Sequence, residues 1–462
     1  MTQAGQTTDD RAAEAISRRI AAYLGAQIEP GFRVIRYPPG YNFNVQYGMP
    51  VMWNPHTFGL IDQICRLDGP HSASMTGSSF SAEFAAILAS VGYHTSTADI
   101  RAQKQAIGDF DRQGDRVVQV FEAEFGPITA AMIQASGAVP RTKPGYVSWY
   151  VGAHYPGTPP RFPPVLASFS AAYAAWLSLG ETVEKSARQA QAAAALVSAA
   201  RAHSIHPGAG NGGLPTGPSA WSVAYCGLPT NNQINAGLDN RQSTVSVTID
   251  VEDAGAGMAS LSLDRPSLGR VPRTDLRLSV AAAPEDTARP VDPWAAARHV
   301  GLEIVYTGIT AIRADPVSLS ADRQSGWFSL PILQQIVAKT GKDVTGLQLQ
   351  GSAFSIDALF GPGGSFARVQ TFVIAQQPTV KMTFRGTNLD ALAGQVTTDQ
   401  AAQLSLGKIV SLGVDGRDYR VVDMQSTGTE LTVTLGAAPP SGTVPLIDQT
   451  AHVIGGVIQF PA

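Results

Sequence analysis

Hydrophobic residues recur at every third or fourth position in two long stretches of the N-terminal half of the chain. In the first stretch, residues 79–135, the apolar positions include Ile100, Ile107, Phe110, Val117, Val118, Phe121 and Phe125. The second stretch, residues 165–202, is rich in alanine and carries glutamate and lysine on its outer face. This spacing gives a helix one apolar face. Two such helices separated by a turn-rich segment predict an antiparallel hairpin or bundle.

Other helical patterns are shorter or interrupted. Three glycines weaken the first long stretch without ending it, at Gly92, Gly108 and Gly114. Pro127 predicts a kink or a break in the same stretch. Residues 9–24 predict a short amphipathic helix that precedes both long ones, and residues 54–67 favour a helix of about three turns.

Beyond residue 244 the hydrophobic period changes to two. In VSVTIDV, residues 245–251, valine and isoleucine alternate with serine, threonine and aspartate, as in a half-buried strand. Similar runs begin at residues 276, 302, 347, 368 and 379. Strands at this spacing, separated by proline and glycine turns, predict an antiparallel sandwich or barrel. Residues 329–341 are an exception and favour a short helix.

The last part of the chain, from Gly386, predicts a separate small β unit. Asp415 and Gly416 form a pair that supplies the positive φ angles of a tight hairpin turn. Residues 428–436 and 452–460 provide further strands. A β unit of this size is small but can be stable when it packs against a neighbouring domain.

The predicted fold class is therefore α+β. We expect an N-terminal helical module of long antiparallel helices, followed by an antiparallel β-sandwich-like module and a small C-terminal β-barrel-like unit. A chain of 462 residues is long enough for about two to four domains. The predicted ranges are 1–205 for the helical module, 206–243 for a connector rich in Gly, Pro and Asn, 244–385 for the β-sandwich-like domain and 386–462 for the small C-terminal β domain.

Composition and charge exclude several classes of protein. Hydrophobic residues make up 44% of the chain and charged residues 15%, against about 25% charged in typical globular proteins, which argues against disorder. The net charge of −3 predicts no nucleic-acid partner and no general attraction to acidic lipid. The first residues include acids and lack an apolar core, so we expect no Sec signal peptide. These features predict a protein that is cytoplasmic or exported by a non-Sec route.

Motifs for cofactors, metals and catalysis are weak. Residues 208–213, GAGNGG, match the dinucleotide pattern, but a helical stretch precedes them and LPTGPS follows, so a flexible connector is the better interpretation. Cys65 and Cys226 lie far apart in the chain and predict two buried free thiols, with a disulfide left open. Cys226 has no histidine close in sequence to activate it as a nucleophile. We therefore expect no cofactor.

Two groups of polar residues are candidates for a metal or acid–base site. His203 and His206 share one face near the end of the second long helix, but two imidazoles fall short of the usual three or four ligands. Asp250, Glu252 and Asp253 lie where an alternating strand enters a turn, which is typical of a solvated face. We therefore expect neither a metal site nor a catalytic residue.

An aromatic zone between the two long helices is the candidate contact surface. Only Arg141, Lys143 and Arg161 are charged between Phe125 and Gly180. The candidate binding residues are Tyr146, Trp149, Tyr150, Tyr155 and Trp176. Tyrosine and tryptophan are favoured at protein interfaces and at membrane interfaces. The zone therefore has three interpretations: a protein interface, a membrane interface, or a proline-stiffened loop packed against the helices.

The uncharged segment FPPVLASFSAAYAAWLSLG, residues 162–180, raises the question of membrane entry. Its length suits a span, but two prolines, three serines and five alanines offset its few strongly apolar residues. The sequence therefore predicts a non-enzymatic binding or assembly protein, with a protein partner or self-association and with membrane contact only conditional. The alternatives are a soluble helical pore-forming or membrane-perturbing protein, and an enzyme with a spatially assembled site.

Overall fold

The structure is a computed structural model, which describes residues 8–27, 31–36, 59–204, 224–263, 266–281, 287–351, 354–407, 410–412, 419–437 and 451–461. Helices and strands both occur in large numbers within these ranges, which confirms the mixed α+β class. Three features singled out in the sequence lie outside the described residues: the GAGNGG stretch at 208–213, His206, and the turn at Asp415–Gly416.

The helices are α1 (Thr8–Gln27), α2 (Phe80–Ala89), α3 (Thr97–Phe125), α4 (Ala130–Ala135), α5 (Lys143–His154), α6 (Ala167–Ala202), α7 (Asn231–Leu238), α8 (Leu330–Lys339), α9 (Ile356–Leu359) and α10 (Asp390–Ala393). The strands up to the middle of the chain are β1 (Phe32–Arg36), β2 (Gln63–Leu67), β3 (Ser72–Ser79), β4 (Val91–His94), β5 (Tyr225–Cys226), β6 (Thr244–Gly255), β7 (Met258–Leu263), β8 (Ser267–Pro272), β9 (Leu276–Ala281) and β10 (Arg289–Val291). The later strands are β11 (Ala297–Thr307), β12 (Thr310–Arg313), β13 (Asp315–Pro316), β14 (Gly346–Leu349), β15 (Arg368–Ala375), β16 (Thr379–Gly386), β17 (Ala401–Leu406), β18 (Val410–Leu412), β19 (Tyr419–Ser426), β20 (Glu430–Ala437) and β21 (His452–Gln459).

The chain divides into two compact units. One unit, here called the β-rich unit, comprises residues 1–87, 203–330 and 354–462. The other, here called the helical unit, comprises residues 88–202 and 331–353. The long helices α3 and α6 both belong to the helical unit, in the two stretches where the sequence predicts them.

A large sheet dominates the β-rich unit. Its strand order is β10-β9-β17-β19-β20-β16-β11-β6-β7-β8, and β18 pairs with β17 at one side of this path. The alternation predicted for β6 is confirmed, because Val245, Val247, Ile249 and Val251 are buried. Strands β16 and β20 are antiparallel neighbours, so strands from before and after residue 386 share this sheet.

A second sheet of the same unit closes on itself. The strands β15, β2, β3, β1 and β21 follow one another, and β21 pairs again with β15 to complete a ring of five. The pairing of β1 with β3 is parallel, whereas the other pairings in the ring are antiparallel. At Gly455 an added Cβ would lie 2.3 Å from the carbonyl oxygen of Arg33, and at Gly456 one would lie 2.4 Å from that of Thr371. The two glycines therefore let β21 approach both neighbours closely.

The structure corrects two helical predictions. Within residues 54–67, residues 63–67 form strand β2 rather than the end of a helix. Within residues 79–135, the helix is interrupted by strand β4, which pairs with β14 from far along the chain. In both places the partner strand satisfies the backbone hydrogen bonds, and local periodicity does not reveal a partner so distant in sequence.

Candidate functional site

The two long helices of the helical unit, α3 and α6, pack antiparallel through reciprocal ring-on-glycine contacts. A Cβ atom added at Gly180 would lie 3.2 Å from the ring of Phe110. One added at Gly114 would lie 3.3 Å from the indole nitrogen of Trp176. Gly114, one of the glycines that weaken the helical pattern, and Gly180 thus allow the two helices to approach closely, which fixes their register.

The opposite ends of this helical pair differ in what they contact. Near the C-terminal end of α6, the Arg201 guanidinium donates hydrogen bonds to the carbonyl oxygens of Leu88, Ala89 and Val91. Helix α3 begins a few residues after these carbonyls and runs for about 43 Å at 1.5 Å per residue. Residues 126–166 connect the other ends of the two helices, and we call them the tip segment. They include α4 and α5.

Aromatic rings fill the interior where the tip segment meets the two long helices. The ring of Tyr150 on α5 packs edge-on against Phe121 at a centroid distance of 5.0 Å and lies 5.3 Å from Phe125. Phe169 on α6 contacts both phenylalanines, at 5.8 and 5.7 Å. Offset and edge-to-face pairs at these distances add about 0.5–1.5 kcal/mol each beyond the burial of apolar area. The tip segment is thus supported by a packed aromatic cluster.

Polar contacts hold the turns of the tip segment. The Glu122 carboxylate accepts hydrogen bonds from the Lys143 ammonium at 2.6 Å and from the Ile128 amide at 3.0 Å. These bonds, with that from Lys143 the strongest, lower the pKa of Glu122. The threonine at the start of α5, Thr142, caps that helix by accepting a bond from the Gly145 amide. The peptide bonds Val139–Pro140 and Thr158–Pro159 are cis.

The structure brings the five candidate binding residues into one connected cluster of rings. Tyr146 and Trp176 are buried, Tyr150 and Tyr155 are half-buried, and Trp149 is 37% exposed. Tyr146 lies between Phe121 and Trp149, at centroid distances of 6.1 and 5.5 Å. Of the five, Trp149 therefore offers the largest exposed fraction to a partner.

The remaining two candidates lie toward α6. Tyr155 packs against Phe162 at 5.0 Å, and Phe162 continues to Tyr173 at 5.9 Å. Tyr173 in turn contacts Trp176 at 5.9 Å. The indole N–H of Trp176 is buried, and no acceptor within the described ranges hydrogen-bonds to it. Whether these residues bind a partner stays a prediction.

The two most exposed large apolar residues of the tip segment are valines that are not among the five candidate binding residues. Val139 is 89% exposed in the turn before α5, and Val165 is 80% exposed in the turn before α6. Prolines flank both valines, at 140, 163 and 164. These prolines mark the turns, but a turn has no burial period, so nothing in the pattern shows which side faces water.

The charges of this region have one sign. Between Phe125 and Gly180 the chain contains no acidic residue. Lys143 is paired with Glu122, which lies just before the region. Arg141 and Arg161 are exposed, and neither forms a salt bridge with any residue that the structure describes. The tip segment therefore presents positive charge beside its exposed valines.

The uncharged segment 162–180 has two distinct faces. Its buried face consists of Leu166, Phe169, Ala172, Tyr173 and Trp176. The other face is exposed and holds Ala167, Ser168, Ala171, Ala174, Ala175, Leu177 and Ser178. No described helix is long and apolar enough to cross a bilayer.

A second polar cluster lies in the β-rich unit and was not predicted. The buried Asp62 carboxylate accepts hydrogen bonds from the Ser79 hydroxyl at 2.5 Å, the Ser81 hydroxyl at 2.8 Å and the Tyr225 hydroxyl at 2.5 Å. The Ser81 amide adds a fourth bond, at 3.1 Å. Burial raises the pKa of Asp62 despite these bonds, and burial with the neighbouring carboxylate raises the pKa of Tyr225. The cluster ties β3, α2 and β5 together.

Arg368 and Cys65 extend this buried region. The Arg368 side chain is fully buried and donates to the carboxylate of Asp315, the carbonyl oxygen of Ala314 and the side-chain oxygen of Gln459. Burial raises the pKa of the Cys65 thiol to about 12, so it stays protonated and is a poor nucleophile at neutral pH. No sequence motif marks this cluster, because its members come from distant segments.

The remaining polar candidate residues have ordinary partners. Asp250 lies 3.0 Å from the ring nitrogen of His299, and Asp253 forms salt bridges with Arg273 and Arg298. Within the described ranges no three His, Cys, Asp or Glu side chains are placed to hold a metal. Both cysteines are free; Cys65 is buried as expected, but Cys226 is exposed, so the expectation of two buried thiols is wrong there.

Comparison with known proteins gives no relative. No protein-family model, no curated protein and no solved structure matches this chain.

Proposed function

We propose that the protein is a non-enzymatic binding protein whose helical unit presents the tip segment to a partner. The observation that carries the proposal is the exposure of Val139, Val165 and Trp149 beside a packed aromatic cluster. Large apolar side chains left in water at one end of a long helical pair lower the free energy of association when a partner covers them. The supporting cluster keeps them in place, which reduces the entropy lost on binding.

The non-enzymatic part of the proposal is supported by the buried polar cluster. Each hydroxyl in contact with Asp62 already donates its hydrogen bond to that carboxylate. Nucleophilic catalysis also needs the activated hydroxyl to face a substrate, whereas Asp62, Ser81 and Tyr225 are buried. We therefore assign this cluster to stability.

The β-sandwich-like and small barrel-like modules expected from the sequence enter the proposal as recognition surfaces for a ligand or a second partner. The closed ring and the large sheet support this role, because sites on rigid elements hold their geometry better than sites on loops. The proposed location is the cytoplasm, or outside the cell after export without a Sec signal.

Light scattering on the full chain tests the role of the tip segment by measuring molar mass alone, with detergent and with lipid vesicles. We expect the wild type to associate in at least one condition, and the double variant Val139→Ser with Val165→Ser to lose that association. Val422→Ser is the matched control, because Val422 is 47% exposed but lies on β19.

Equal association of the wild type and the double variant would contradict the proposal, and so would a wild type that stays monomeric and unbound in every condition. Release of dye trapped in the vesicles would instead favour the alternative of a pore-forming or membrane-perturbing protein.

A further inference from the structure

We propose that the partner of the tip segment is an anionic lipid surface, on which the segment docks without spanning the bilayer. This inference rests on the proposed function and names the class of partner. Its basis is the combination, in one segment, of exposed apolar side chains, arginines that form no salt bridge within the described ranges, and a backbone with eight prolines.

Each exposed valine has an arginine close to it in the chain. Arg141 follows Val139 by two residues, and Arg161 precedes Val165 by four. Arginine can bury its alkyl stem while the guanidinium stays at the level of the lipid phosphates. The valine side chains can then enter the apolar layer beneath the headgroups while the arginines contact the phosphates.

The sign of the charge selects the lipid. The net charge of the whole chain is −3, but all charged residues between Phe125 and Gly180 are basic. Each basic side chain near an anionic membrane strengthens binding roughly fivefold, and the effect falls off within a Debye length of about 10 Å. Local charge therefore decides the interaction, and the net charge of the chain does not oppose it at physiological ionic strength.

Prolines reduce the penalty of moving this backbone away from water. Of the 31 prolines in the chain, eight lie in the tip segment, at positions 127, 140, 144, 156, 159, 160, 163 and 164. Proline has no backbone N–H, so fewer donors lose their hydrogen bonds with water when the turns approach the lipid. Trp149 adds a side chain that favours the boundary between lipid and water.

The spacing of the apolar residues favours a lipid surface over a protein. Protein interfaces usually bury a contiguous apolar patch with close shape complementarity. Here Val139 and Val165 belong to separate turns, with Pro140 after the first valine and two prolines, at 163 and 164, before the second. A fluid lipid surface accepts separate apolar side chains without requiring such complementarity.

Vesicle flotation of the full chain tests the proposal. The probes are vesicles of phosphatidylcholine alone and vesicles of phosphatidylcholine with phosphatidylserine, each at low and high salt. We expect the wild type to float with the anionic vesicles at low salt and not with the neutral ones. Changing both Arg141 and Arg161 to Gln should weaken binding roughly 30-fold. Changing both Val139 and Val165 to Ser should weaken it about tenfold or more.

Matched control variants remove the same kinds of exposed side chain outside the tip segment. Arg101→Gln with Arg270→Gln removes two exposed arginines outside the tip segment, and Val422→Ser removes an exposed valine there. Both controls should bind anionic vesicles as the wild type does. Circular dichroism of each variant establishes that it is folded.

A fluorophore locates the contact directly. In a Cys226→Ser background, which removes the exposed thiol, Val139→Cys carries an environment-sensitive label and Val422→Cys is the control. The label at 139 should shift to the blue with anionic vesicles, and the label at 422 should not. Three results would overturn the proposal. They are a wild type that does not float with anionic vesicles, tip variants that bind as well as the wild type, and a blue shift of the label at 422 but not at 139. If self-association still depended on Val139 and Val165 while no vesicle bound, lipid docking would fail and the proposed function would stand.

Discussion

Phe110 and Trp176 stack on each other across the interface of the two long helices, with ring centroids 5.3 Å apart and planes inclined by 20°. Each ring also lies on a glycine of the facing helix: Phe110 on Gly180, and Trp176 on Gly114. On each helix the ring and the glycine are four residues apart, so they share one face. The pair therefore works as a reciprocal lock that sets the register of the hairpin.

These contacts predict that Gly180→Ala changes the free energy of unfolding in opposite directions when the Phe110 ring is present and when it is absent. Gly180→Ala gains about 1 kcal/mol of helix propensity, but its Cβ would press on the Phe110 ring, and overpacking costs about 1–3 kcal/mol. We expect Gly180→Ala to destabilise the wild type and to stabilise the Phe110→Ala variant, as measured by urea unfolding. If Gly180→Ala had the same effect in both backgrounds, the ring would not be what requires the glycine.

Two glycines of α5 should respond oppositely to the same substitution. A Cβ at Gly145 would lie 2.0 Å from the carbonyl oxygen of Pro140, and backbone cannot move aside as easily as a side chain. Gly145→Ala should therefore lower stability by about 2–3 kcal/mol. At Gly152 no atom lies within 4 Å of the added Cβ, so Gly152→Ala should raise stability by about 0.5–1 kcal/mol. Thermal unfolding followed by circular dichroism checks both, and a loss of stability in Gly152→Ala would contradict the prediction.

The Tyr225 hydroxyl should contribute measurably to the stability of the β-rich unit. Tyr225→Phe removes a buried hydrogen bond to the Asp62 carboxyl group and leaves that oxygen with one partner fewer, so it should lower the free energy of unfolding by about 1–3 kcal/mol. Tyr93→Phe is the control, because the Tyr93 hydroxyl has no hydrogen-bond partner in the described part of the chain; its effect should stay within about 0.5 kcal/mol. Urea unfolding at neutral pH compares the two, and similar effects would show that the bond to Asp62 contributes little.

Asp62 should make stability depend on pH in a direction opposite to that of a salt-bridged carboxylate. Burial raises its folded-state pKa above the ordinary value of 3.8, so the folded protein binds this proton more tightly than the unfolded chain does. The resulting stability is complete below that ordinary value and is lost as pH rises through the raised pKa. Relative to Asp62→Asn, which has no such proton, the wild type should lose stability over that range. Denaturant unfolding of both proteins at a series of pH values checks this, and a difference that did not vary with pH would contradict it.

Regular periodicity made the main elements predictable. The helices α3 and α6 and the strand β6 follow from spacings of about 3.6 and two, because one face of each must be buried. Gly114 lies inside a helix, as predicted. A glycine is required there because the indole of Trp176, a residue far away in sequence, packs on it. Periodicity shows which residues of an element are buried, but it does not show which distant residues cover them.

The remaining features depend on pairs of distant segments. Strand β4 pairs with β14, and Asp62 meets Tyr225, through contacts that no local pattern encodes. The tip segment shows the same limit at its surface. The aromatic residues around Trp149 stand out by composition, whereas nothing in the sequence shows that Val139 and Val165 are exposed, because exposure in a turn is decided by how the turn packs.

The closed ring of five strands also constrains the order of events during translation. Among the described strands, β1 forms antiparallel pairs only with β21, which lies about 420 residues later. At roughly 5–20 residues per second, a ribosome needs roughly 20–80 s to reach β21 after making β1. Throughout that interval one edge of β1 has no neighbour, and unpaired strand edges are where nascent chains aggregate. A chaperone that shields this edge until β21 has been made would therefore be expected to raise the yield of folded protein.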